Sequence, residues 1–243
     1  MVGTDTATEE ATMTLSLTEE LVLLTLDPHS GRPALDSVRM KAAVAGAAVA
    51  QLTLDGALAL DGPDPKRARL RRTGTAAPTD PLLSDALEQA DGRRPKDAVS
   101  RLGGAGAWRD RAGALRTHLL DAMAAAGVVR REDDRVLGLF PRTRWSVADP
   151  TVLDALRARV TGALDARGGP PDPPTAALVA LLSATDRLAA VTGLPKAEAR
   201  RRAEAATAGD WAAPAVRAAV QEVHAVLVAS MVATTAATTA ATS

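Results

Sequence analysis

The chain has 243 residues, 47% hydrophobic but only 2% aromatic, so its core must be built from Ala, Val and Leu, which suits closely packed helices. The absence of cysteine excludes disulfides, thiolate metal sites and cysteine nucleophiles. Net charge is zero but unevenly spread: residues 1–65 hold 3 Lys/Arg against 10 Asp/Glu, and residues 66–145 hold 17 against 10.

That basic middle third points to an anionic partner, whether phosphate, lipid surface or nucleic acid. The acidic start, residues 1–14, lacks a basic n-region and an apolar h-region, so it reads as a flexible N-terminus without a secretory signal. A cytoplasmic location is the expectation. The central uncharged run Ala42–Leu54 is 13 residues long, short of the roughly 20 needed to span a bilayer.

In chain order, Leu17–Leu26 reads as a short helix with Glu19 and Glu20 near its positive end. After a loop at Pro28, Gly31 and Pro33, the spacing predicts a long helix over Leu35–Leu52. From Ala42 that helix is apolar on nearly all sides, which places it in the centre of a bundle. Asp55-Gly56 turns into a hairpin with arms Ala57–Leu60 and Ala68–Arg72. Short helices follow over Pro81–Ala90 and Pro95–Leu102.

Gly106–Ala126 has helical spacing, with Trp108, Ala112, Leu115, Leu119, Met123 and Ala126 on one face. A helix from Pro150 turns Leu153, Leu156, Val160 and Leu164 inward, and the run Gly168–Pro174 breaks it. Leu178, Leu181, Leu182, Thr185 and Leu188 stripe the next helix; Val216, Val220, Val223 and Leu227 stripe the last. The expected architecture is mainly α. It is a single-domain helical bundle over residues 15–232, surrounded by further helices, with one or two short β-hairpins. The Ala/Thr tail 233–243 reads as disordered.

The most informative stretch is Gly127–Trp145. Two apolar runs, Val128–Val129 and Val136–Phe140, flank a charged segment that reads as the turn of a β-hairpin. Val136, Leu137, Leu139 and Phe140, edged by Arg142, Arg144 and Trp145, suit a tip that touches a membrane. Acyl chains would take the apolar groups and anionic headgroups the guanidinium groups. The alternatives are a hairpin folded back with Phe140 in the core, or an arm that clasps a second copy of the chain.

Arg116 and Arg109 share one flank of the preceding helix, where both can reach a headgroup beside the hairpin. The basic run Lys66–Arg72 offers a wing for nucleic-acid phosphates, a lipid-facing strip, or a solvated edge guarded by charge. His29, His118 and His224 have no metal-ligand spacing, and Gly103-Gly104-Ala105-Gly106 lacks the Lys-Ser/Thr of a phosphate loop. No catalytic residue, metal or cofactor is expected, and the chain does not read as an enzyme.

Five pieces of sequence, in order and compatibly spaced between Leu15 and Leu227, resemble the Golgi phosphoprotein 3 family of phosphatidylinositol 4-phosphate binding adaptors. They are Leu17–Leu21 with Leu23-Leu24; Gln51–Leu58; Leu82–Leu87; Ala126–Val128 leading into Val136–Phe140; and Ala177–Leu188. The form is similar to the actinobacterial branch.

The resemblance implies a central helical bundle and a projecting hairpin that touches membrane or mediates oligomer contacts. In the eukaryotic members a tryptophan and several basic residues grip the lipid phosphate. Arg116 matches one of these positions, while Gly113, Asp36 and Ala45 stand at the others. The function so implied is that of a peripheral membrane adaptor, with an anionic, phosphoinositide-like lipid as partner and a protein cargo besides. Nucleic acid is the lesser alternative.

Overall fold

The computed structural model describes residues 15–27, 30–64, 67–103, 109–136, 140–165, 169–208, 212 and 214–221, with backbone alone over 134–136 and 140–142. Five aspartates and one serine set where its helices begin. Ser16 starts α1 (Leu17–Leu24) with a capping box closed by Glu19, and Asp36 accepts from the Arg39 amide to start α2 (Ser37–Leu54). Asp80, Asp110, Asp149 and Asp172 do the same for α3 (Pro81–Ala90), α5 (Arg111–Ala125), α6 (Pro150–Ala163) and α7 (Pro173–Ala184). Proline occupies the first turn of α3, α6 and α7, where the missing amide costs nothing. Helices α4 (Pro95–Gly103), α8 (Leu188–Thr192), α9 (Lys196–Ala206) and α10 (214–221) complete the helical set among the described residues.

Helix α2 lies at the centre, as its apolar composition requires. Ala42–Ala50 is buried throughout, and α2 contacts α1, α3, α4, α5 and α7. Small residues let the neighbours come close. A Cβ on Gly103 would sit 2.3 Å from the Lys41 carbonyl oxygen, so α4 seats its last turn on the α2 backbone. One continuous apolar core takes in residues from Leu17 to Val220, including Leu153, Leu156, Val160 and Leu164 of the inward stripe.

The strands form two separate antiparallel pairs. The first joins β1 (Leu58–Leu60) to β2 (Leu70–Arg72) and buries Leu58 and Leu70. The second joins β3 (Val129–Val136) to β4 (Phe140–Val147), with Val129 paired to Val147 and Val136 to Phe140.

This second hairpin corrects the sequence reading. The charged segment Arg130–Arg135 is strand, paired up to Val136 with Phe140, and residues 137–139 lie outside the described residues. Cross-strand polar pairs carry the ladder: Thr143 donates to Asp133 at 2.9 Å and Ser146 to Glu132 at 2.8 Å. Charge here marks two solvent-facing strands rather than a loop.

Two helix limits also differ. Regular α5 begins at Arg111, and Trp108, placed on its stripe, lies outside the described residues. Leu188 belongs to α8, because Asp186 takes a left-handed conformation (φ 59°) that ends the preceding helix. Among the described residues no helix is long and apolar enough to cross a membrane.

Candidate functional site

The loop between α1 and α2 meets the hairpin and α5 at one place. Gly31 has φ 63°, and a Cβ there would sit 2.9 Å from the Trp145 carbonyl oxygen, so only glycine fits. Its own carbonyl accepts from the Trp145 amide at 3.1 Å, pinning β4 to the loop. Beside this junction two hollows adjoin. One, of about 420 Å³, lies between the start of α2 and the first half of α5; the other, of about 260 Å³, runs toward Thr143 and Trp145. Pro33, Arg116 and Thr117 line both.

Arg116 stands at the shared wall. Its Nε and one terminal nitrogen are buried and have no hydrogen-bond partner among the described residues. Burial pulls its ionisation below the ordinary arginine value. The surrounding cations are engaged. Lys41 pairs with Asp110 at 2.8 Å, while Arg131 bonds Asp121 and Asp133 at 3.3 and 3.2 Å and lies 5.8 Å above the Trp145 ring.

Ser37, the first residue of α2, also lines the larger hollow and brings the positive end of that helix to it. A desolvated guanidinium with unmet donors, facing a cavity at a helix N-terminus, is built to take an oxyanion.

The other expected site residues are distributed differently. Arg109 precedes α5 and lines a separate cavity on the opposite flank, so it does not join Arg116 at one headgroup. Trp145 is 6% exposed and belongs to the core at the hairpin base; it does not edge the tip. Strand alternation puts Arg144, opposite Glu132, on the face away from Trp145. Arg142 pairs in register with Asp134 and Val136 with Phe140, their side chains being outside the description; Leu137 and Leu139 lie outside the described residues altogether.

Of the positions compared with the eukaryotic family members, Asp36 caps α2 and Ala45 is buried at 1% exposure. Gly113 leaves room for the Asp110 carboxylate, which accepts from its amide at 3.0 Å.

Sequence reasoning missed Arg131, taken for a turn residue; its period-2 relation to Val129, buried on the same strand, was the available signal. In the basic hairpin, Arg69 donates to the Gly92 carbonyl and Arg71 to Asp61, so that strip is braced to its own loops.

A search of curated proteins finds no match. The family model for Golgi phosphoprotein 3 (GPP34) matches residues 17–223, which takes in the helical core, both hairpins and the Arg116 hollow. The chain therefore belongs to the Golgi phosphoprotein 3 family.

Proposed function

We propose that the protein docks peripherally on membranes by binding an anionic, phosphoinositide-like headgroup at Arg116, and that it serves there as an adaptor rather than an enzyme. The observation that carries this reading is Arg116, which lines two hollows beside the hairpin while its buried Nε and one terminal nitrogen have no hydrogen-bond partner among the described residues. A phosphate ester supplies the missing acceptors bidentately. Family membership supports the same reading.

The apolar stretch Val136–Phe140, which joins the two strands in sequence, supplies the second contact. Partial burial of Leu137, Leu139 and Phe140 in the acyl region contributes about 1 kcal/mol each. Arginines near an anionic leaflet add about 1 kcal/mol apiece. Such terms give weak binding for one copy, and a second copy would multiply the contacts.

Co-sedimentation of the full chain with phosphatidylcholine vesicles, with and without phosphatidylinositol 4-phosphate, tests the reading. Pelleting with the anionic vesicles alone, weakened by salt, is expected. Pelleting with neither, at low salt, would overturn it.

A further inference from the structure

On the other flank of α5 an apolar cavity of about 260 Å³ opens between α2, α3, α4 and α5. Its walls include Ala45 and Ala48 of α2, Ala86 of α3, Leu102 of α4 and Leu115 of α5. Alanines stand where larger side chains would interlock, so the four helices enclose space that the core leaves unfilled.

Contacts around the cavity fix the walls in place. Arg111 ties α5 to Asp85 of α3 at 2.9 Å, His118 ties it to the α3 cap Asp80 at 2.6 Å, and α4 already rests on the α2 backbone at Gly103. Unfilled apolar volume forfeits contacts for every atom that lines it. This cavity exceeds the roughly 150 Å³ of an engineered apolar cavity that accepts benzene.

The rim adds a charge pattern. Asp85 is neutralised by Arg111 and Asp110 by Lys41, whereas the guanidinium of the exposed Arg109 makes no ion pair or hydrogen bond among the described residues. One uncompensated cation above an apolar shaft is complementary to an anion that carries a chain. We infer that this cavity binds a single-chain, medium-length fatty carboxylate, its alkyl chain among Ala45, Ala48 and Ala86 and its carboxylate on Arg109. The inference stands apart from the Arg116 hollow and is independent of membrane docking.

Isothermal titration of the full chain with decanoate, below its micelle concentration, tests it. One-to-one binding is expected, with decan-1-ol and the Arg109→Gln variant each about tenfold weaker or worse through loss of the charge-assisted contact. Ala48→Leu and Ala86→Leu fill the space and should abolish binding, while Arg116→Leu should bind as the parent does. Melting curves check that the leucine variants fold; if one fails, the other and the contrast of decanoate with decanol still decide.

Absence of decanoate binding would overturn the proposal, as would binding left intact by a folded leucine variant. Equal affinity for decanol, or loss in Arg116→Leu, would overturn it too. None of those outcomes bears on vesicle docking, which is read by sedimentation.

Discussion

At the scale of single residues, Arg116 sets binding against stability. A charge half-withdrawn from water without a partner costs free energy that a bound anion repays and an apolar side chain does not incur. Arg116→Leu is expected to lose pelleting with anionic vesicles while gaining about 1 kcal/mol in urea unfolding, a modest figure because the side chain is only partly desolvated. A fall in stability would mean that Arg116 holds the fold together, which its unmet donors contradict. The residue was legible in the sequence as a family match on a helix flank; its want of a partner was not. That fact depends on where Asp110, Asp121 and Asp133 spend their hydrogen bonds.

At the scale of elements, the hairpin β3–β4 is rooted in the core at its base. Val129 and Trp145 enter the core, and the Trp145 amide is held by Gly31. Trp145→Ala should therefore destabilise the whole chain by about 3 kcal/mol, the lower part of the range for a large core aromatic, as read from the urea midpoint. A tryptophan used only for membrane contact would leave that midpoint unchanged and weaken vesicle binding alone.

The helices were far easier to foresee than this hairpin. The cap and proline signals at Asp80-Pro81 and Asp149-Pro150 are local and fix helix starts without help from the rest of the chain, whereas the run Gly168–Pro174, read only as a break, also holds the start of α7. Strand registry instead depends on residues ten or more positions apart, such as Asp133 with Thr143. A run of charged residues therefore reads as a turn until its partner strand is known.

At the scale of the whole molecule, several of the caps make stability depend on acid. Burial pulls the Asp80 carboxyl upward, yet the Leu83 amide, His118 and the Leu82 amide together hold it below the ordinary 3.8. Burial likewise acts on Asp110 and is outweighed by Lys41 and the Gly113 amide; Asp149 is lowered by Thr151. Each contributes stability that is present above pH 3.8 and lost as pH falls through its lower folded-state value.

Glu20 has the opposite sign. Burial raises it above 4.5 despite its pairing with Arg159, so its contribution is present below that pH and is lost as pH rises through the raised value. With Asp61 and Asp133 also lowered, five lowered aspartates against one raised glutamate among the described residues give a net loss in acid. The urea midpoint should fall below about pH 4, and Asp80→Asn, which can still cap α3, should flatten that fall. An unchanged pH profile in that variant would show that Asp80 contributes nothing to the acid transition.

The sequence by itself determined the helical class, the burial of α2, the starts of α1, α3, α4 and α6 and the membership implied by five short pieces, because periodicity and capping are properties of neighbouring residues. Tertiary structure decided which cations are spent and which are free. Arg109 and Arg116, seven residues apart, open on different cavities because the start of α5 packs between α2 and α3 on one flank and the α1–α2 loop and hairpin on the other. It also decided that Trp145 is core, since Gly31 pins the Trp145 backbone to the α1–α2 loop and the ring packs into the core cluster.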